Sequence, residues 1–76
     1  MAQLLSPLPG TFYRKPSPDK TSYKNDGDTV AKGDVVGLIE VMKSFTEVKA
    51  DAAGKIKFLA DNEEPVMAGQ PLAEIG

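Results

Sequence analysis

Apolar and turn-forming residues recur along this chain in two matching registers. Val30, Gly33 and Ile39 return as Val66, Gly69 and Ile75, and the apolar Ala31 and Val36 return as Met67 and Leu72, all at one spacing. An earlier segment, Gly10-Thr11-Phe12-Tyr13-Arg14, lines up with Gly54-Lys55-Ile56-Lys57-Phe58 at a longer spacing. Self-similarity of this kind is the mark of a repeated structural unit. The two spacings differ by about eight residues, so the first copy holds an excursion between its matching pieces. Pro16-Ser17-Pro18-Asp19-Lys20-Thr21-Ser22-Tyr23 fits that excursion, because two prolines make a protruding turn rather than a strand.

Each copy reads as short strands. Turn signals recur closely at Pro9-Gly10, Asp26-Gly27-Asp28, Lys32-Gly33-Asp34, Ala53-Gly54 and Ala68-Gly69. Short strands between regular turns point to an all-β sandwich or barrel. The paired copies add quasi-twofold symmetry, with the second half packed on the first. Leu38, Ile39, Val48, Ile56, Leu72 and Ile75 form the expected core, with Phe12 on a strand beside them. A rival pattern exists. Leu38, Val41, Met42, Phe45 and Val48 fall at helical spacing, which would make residues 36–50 an amphipathic helix. The repeat opposes it, since Gly69 and Pro71 stand in the second copy where Gly33 and Val35 stand in the first.

Two strands over residues 36–50 need a turn between them. No Gly, Asn, Asp or Pro lies between Gly37 and Asp51, although tight hairpins favour such residues for positive φ. The centre falls at Met42-Lys43. Long side chains in such a turn carry a local conformational cost, and that kind of cost persists where function requires the residue. Lys43 then stands at an exposed tip.

Composition narrows the chemistry. The chain has 76 residues, of which 41% are hydrophobic and 26% charged, a globular mixture for one compact domain. It has no Cys, His or Trp, which excludes disulfides, thiol catalysis, His-based acid–base chemistry and zinc or iron–sulfur ligation of the usual kinds. Its net charge of −2 does not suit nucleic-acid binding. The longest apolar run, Val35-Val36-Gly37-Leu38-Ile39, is too short to span a membrane. Met1 to Ser6 lacks the basic start and apolar stretch of a signal peptide, so a cytoplasmic location is expected. A carrier or binding module suits this size better than an enzyme with an enclosed pocket.

Glu40-Val41-Met42-Lys43-Ser44 resembles the Glu-Ala-Met-Lys-Met sequence of biotinyl domains, the biotin carboxyl carrier proteins of biotin-dependent carboxylases. Ser6 to Arg14 resembles the first-strand segment of the acetyl-CoA carboxylase carrier subunit, and Pro16-Ser17-Pro18-Asp19 the start of that family's protruding thumb. Gly54-Lys55-Ile56-Lys57 resembles the strand after the hairpin. The resemblance implies a flattened β-barrel of two quasi-symmetric four-stranded halves, a single carrier domain over residues 1–76 with its thumb at about 16–23. It implies that a biotin protein ligase attaches biotin covalently to Lys43. It further implies that the arm carries a carboxyl group from biotin carboxylase to carboxyltransferase, in acetyl-CoA or another acyl-CoA carboxylase, with the domain itself non-catalytic. Tethering would keep the biotin concentration high at both active sites. An ordinary lysine amine is protonated at neutral pH, so the ligase would assist its deprotonation. By the same resemblance Glu40, Val41, Met42 and Ser44 flank the attachment site, and Lys15, Pro16, Ser17 and Pro18 belong to the thumb. Neither a nucleic acid nor a membrane is an expected partner.

Three positions depart from the family pattern. Val41 stands where Ala is usual, Ser44 where Met is usual, and Lys15 where the thumb usually has the Thr that touches biotin. The lipoyl domain shares the implied fold, but its tip commonly has Asp before the modified lysine, where this chain has Met42. A lipoyl carrier therefore remains the nearest alternative, followed by an unmodified β-barrel interaction module and a carboxylate-dependent enzyme.

Plainer roles exist for the same residues. Met42 can be core filler, and Glu40 a cross-strand partner for Lys49. Phe12-Tyr13-Arg14-Lys15 interleaves aromatic and basic residues as some nucleic-acid binders do. Asp61, Glu63 and Glu64 resemble a metal cluster but lack a loop spacing that would make one, and read as a solvated turn. The carboxyl acceptor, and whether the chain is a free subunit or part of a larger carboxylase, stay open at this level.

Overall fold

The computed structural model describes residues 2–17 and 19–76. Eight strands run in chain order: β1 (Ala2–Leu5), β2 (Gly10–Tyr13), β3 (Thr29–Val30), β4 (Val35–Val41), β5 (Ser44–Lys49), β6 (Gly54–Phe58), β7 (Glu64–Val66) and β8 (Pro71–Ile75). They form two four-stranded antiparallel sheets, ordered β1-β8-β6-β3 and β5-β4-β2-β7. The helical spacing around residues 36–50 is not used. Residues 36–49 lie in β4, the turn and β5, where Ile39 and Val48 face the core and Phe45 faces out.

The repeat has a direct structural counterpart. Taken in the order β3-β6-β8-β1, the first sheet corresponds strand by strand to β7-β2-β4-β5. Val30 pairs with Gly54 in one sheet, and Val66 with Gly10 in the other. Phe12 pairs with Ile39, and their counterparts Ile56 and Ile75 pair likewise. Loop contacts repeat too. The Gly33 N–H donates to the Ala50 carbonyl at 2.7 Å, as the Gly69 N–H does to that of Ser6 at 2.8 Å. The Phe58 N–H donates to Asp26 Oδ1 and the Arg14 N–H to Asn62 Oδ1, each at 2.8 Å. In one respect the halves differ from the expected packing of one on the other. They interlock, because β3 joins the sheet of β6 and β8 while β7 joins that of β2 and β4. Gly10 and Gly54 also begin strands rather than lying within turns.

The core lies between the sheets. Phe12, Val36, Ile39, Ile56, Leu72 and Ile75 are fully or almost fully buried there, and Val48 joins them. Burying such side chains supplies the main driving force for folding, about 1.5–3 kcal/mol each. Leu38 is buried as expected, with 8% of its surface exposed, but lies outside this cluster on the outer face of its sheet, opposite Tyr13. Gly37 is dictated by packing. A Cβ there would stand 2.5 Å from Phe12 Cε1 and 2.8 Å from the Tyr13 carbonyl oxygen. The Phe12 ring therefore lies on bare backbone, and β4 and β2 approach through it.

The excursion sits between β2 and β3. From Arg14 to Asp26 the chain takes eight residues more than between their counterparts Phe58 and Asn62. The Tyr23 N–H donates to the Arg14 carbonyl at 2.9 Å and closes the base of this loop.

Replacing Gly37 by Ala is expected to destabilise the domain by about 1–3 kcal/mol through overpacking against Phe12. Urea unfolding monitored by circular dichroism measures this, and a midpoint unchanged from the parent protein would refute the packing role.

Candidate functional site

β4 and β5 are joined by only two residues, since Val41 pairs with Ser44 across the end of the ladder. Met42 and Lys43 carry φ values of 49° and 67°, both in the left-handed region. Positive φ at both central positions is the pattern of a type I′ hairpin turn, whose twist matches that of the flanking strands. Gly and Asn usually fill it; for other L-residues that conformation costs roughly 1–2 kcal/mol each. The turn nevertheless forms on Met42-Lys43, because core-facing residues on both strands hold the register. Ile39 and Val48 are buried, and Val41 packs against the core at the hairpin root.

Met42 is 93% exposed, which removes the core-filler reading. Lys43 and Ser44 are exposed beside it. Lys43 makes no ion pair among the described residues. The turn thus offers one primary amine at the end of a short, rigid ladder.

Glu40 does not form the expected cross-strand charge pair with Lys49. It stands opposite Phe45 and accepts a hydrogen bond from the Tyr13 hydroxyl at 2.9 Å. Lys49 lies 4.0 Å from Glu47 instead. The Tyr13 and Phe45 rings are 6.3 Å apart at 54°, so tyrosine, carboxylate and phenylalanine form one outer-face cluster next to the tip. The hydrogen bond to Glu40 raises the Tyr13 pKa above its ordinary value, with help from desolvation and the charges of Glu40 and Glu63. Neither Tyr13 nor Phe45 stands out as a site residue in the sequence, and only the fold reveals their meeting.

In the excursion, Lys15 and Ser17 are half-buried and Pro16 is exposed, while Pro18 lies outside the described residues. The Ser17 hydroxyl donates to Asp19 Oδ1 at 2.6 Å, and the Lys20 N–H to the Ser17 carbonyl at 3.1 Å. The hydroxyl contact holds the Asp19 carboxyl below its ordinary pKa, aided by a backbone hydrogen bond. No hydrogen bond or ion pair among the described residues joins Lys15, Pro16 or Ser17 to the hairpin tip.

The remaining sequence candidates have structural roles. Phe12 is buried, and the Arg14 guanidinium lies 4.1 Å above the Phe58 ring, so this aromatic–basic stretch serves packing. Glu64 accepts hydrogen bonds from the Asp61 N–H and the Gln70 side chain, which ties the acidic run into a turn.

Two interlocked four-stranded sheets with a lysine on a two-residue turn define a domain of the biotinyl and lipoyl class. The family described as "Biotin-requiring enzyme" (Biotin_lipoyl) matches residues 2–75, and the chain belongs to that family. It is similar to the biotin carboxyl carrier protein of acetyl-CoA carboxylase from Nostoc, at 42% identity over 99% of this chain and 42% of that protein. The protein of the same name from Chlamydia trachomatis is 42% identical over 95% of this chain and 44% of its own length. The one from Pseudomonas aeruginosa is 39% identical over 92% and 46%. The chain spans less than half the length of these curated relatives.

The geometry sets two expected outcomes. Replacing Lys43 by Gly is expected to stabilise the fold by about 0.5–1 kcal/mol in chemical denaturation, because relief of left-handed strain exceeds the added unfolded-state entropy. Ultraviolet titration of the phenolate should show Tyr13 ionising above the ordinary tyrosine range. Because its folded pKa is raised, its stabilising contribution is complete below about pH 10 and is lost as pH climbs through the raised value. Glu40→Gln should lower that ionisation pH, and an unchanged titration would refute the assigned contact.

Proposed function

We propose that Lys43 is the covalent attachment point of biotin and that the domain is the carrier module of a biotin-dependent carboxylase, of the acetyl-CoA or another acyl-CoA type. The carrying observation is the left-handed Met42-Lys43 turn, which presents an exposed amine at a conformational cost that Gly or Asn in the same turn would avoid. Membership of the family and the names of the relatives support biotin as the attached group.

The chain's own contribution is positional. The β4–β5 ladder holds the amine away from the barrel, and Val41 anchors the root in the core. Glu40, restrained by Tyr13, keeps a carboxylate beside the tip. A biotin protein ligase supplies an activated biotinyl group; the Lys43 amine attacks its carbonyl, the nucleotide leaves and the amine loses a proton, giving an amide. Once attached, biotin would supply a carrier for a carboxyl group passed from biotin carboxylase to carboxyltransferase. The domain does not catalyse these transfers.

In this reading residues 1–76 act as one carrier unit, the 16–23 excursion is its thumb, and Met42, Val41, Ser44 and Glu40 are what the ligase meets around the lysine. Lys15, Pro16, Ser17 and Pro18 lie on the thumb. A cytoplasmic site of action belongs to the same proposal. No helix among the described residues is long and apolar enough to cross a membrane. Met42 in place of the lipoyl-type Asp favours biotin over lipoate at Lys43.

Incubation with a biotin protein ligase, ATP and biotin should raise the intact mass by one biotin less one water, and Lys43→Arg should abolish the increase. A wild-type mass that stays constant under saturating ligase would overturn the assignment; acylation by a lipoate ligase alone would replace it with the lipoyl reading.

A further inference from the structure

The quasi-symmetry supplies an internal control for the surface around the hairpin. Gly10 lies against the Glu40 carbonyl and Val41, and pairs with Val66. The turn after Val66 is tied to Ser6 by the Gly69-to-Ser6 and Ser6-to-Gln70 hydrogen bonds, both at 2.8 Å, and Leu5 pairs with Pro71. The β1–β2 loop and the β7–β8 turn therefore share the end of the barrel that carries Met42 and Lys43. The symmetry-related loops lie at the far end, where Val35 pairs with Lys49.

Equivalent backbone positions at these two ends carry different side chains. Leu5, Leu8 and Met67 at the lysine end correspond to Lys49, Ala52 and Ala31 at the other. Leu5 is 47% exposed, Leu8 37% and Met67 68%. The far end keeps the same turns with small or charged residues, so the fold itself does not demand large apolar groups there. Met42 adds a fourth exposed apolar side chain in the turn. Large apolar groups left in water at positions where the fold tolerates alanine or lysine mark a surface that meets a partner.

We infer that Leu5, Leu8, Met42 and Met67 form an apolar docking collar for the enzyme that acylates Lys43. This deepens the proposed function and rests on it. The identity of the occupant comes from continuity. An enzyme acting on the Lys43 amine must close over this end, and these side chains lie on the end it closes over. The collar carries no charge, whereas the far end carries Lys32, Asp34, Lys49 and Asp51. The complementary surface on the ligase is therefore apolar and its contribution to binding is insensitive to salt.

The test replaces Leu5, Leu8 and Met67 with the residues this chain uses at their symmetric positions. The double variant L8A/M67A and the single variant Leu5→Lys are compared with the parent in steady-state biotinylation by a biotin protein ligase, with biotin and ATP saturating. Circular dichroism and thermal melting verify folding, and the opposite-end variant A31M/A52L serves as control. The KM for the domain should rise about tenfold or more in L8A/M67A, with kcat within twofold and little added salt dependence, while A31M/A52L matches the parent. An unchanged KM in folded L8A/M67A overturns the collar while leaving attachment at Lys43 intact; failure of the parent to be biotinylated at all overturns the underlying reading instead. Sedimentation adds the remaining outcome, since a dimer lost in L8A/M67A would assign the surface to a second copy and reject the ligase.

Discussion

The contact between the Phe12 ring and the bare backbone of Gly37 governs the strand arrangement of the loop-bearing half. It draws β2 against β4 and accompanies the Phe12–Ile39 pairing. With Ile39 turned inward, β4 has one admissible register, because a one-residue slip would send its buried face to solvent. Val48 does the same for β5. Once both strands are held, only two residues remain between Val41 and Ser44, and right-handed strand twist selects positive φ for both. The strain at Met42 and Lys43 is thus imposed by the core and sustained by it.

The domain also shows how a symmetric frame is made asymmetric in use. Its two sheets share order, register and loop hydrogen bonds. On the outer face, Lys57 and Glu74 pair in one sheet where Tyr13 and Leu38 pair in the other. The charged pair belongs to the half without the excursion and the apolar pair to the half with it, and Leu38 is buried there although it lies outside the core. The Tyr13–Glu40–Phe45 cluster and the lysine turn belong to one sheet, and the excursion leaves that sheet from the end of β2 and crosses to β3 in the other.

Much of this was legible before the fold. The repeat predicted the paired sheets because equivalent residues must fill equivalent places in a shared core. The eight-residue mismatch pointed to an excursion at residues 16–23, a stretch that falls in the connection between β2 and β3, while the matching loop contacts of Arg14 and Asp26 came only from the fold. The interlocking of the halves was not legible, since β3 and β7 are only two and three residues long and choose partners through long-range pairing. Glu40 illustrates the same limit at the site. Its charge suggested Lys49, but facing positions are set by register, which brings Phe45 opposite it and Tyr13 within hydrogen-bonding distance.

By itself, the sequence determined the all-β class, the repeated unit and the position of the turn. These depend on local chemistry: where glycine and proline fall, where apolar residues recur, and where turn-formers are missing. Tertiary structure alone decided that Met42 stands in solvent, that Tyr13 restrains Glu40, and that Leu5, Leu8 and Met67 share one end with Lys43. Those relations join residues far apart in the chain, and only the closed pairing of both sheets brings them together.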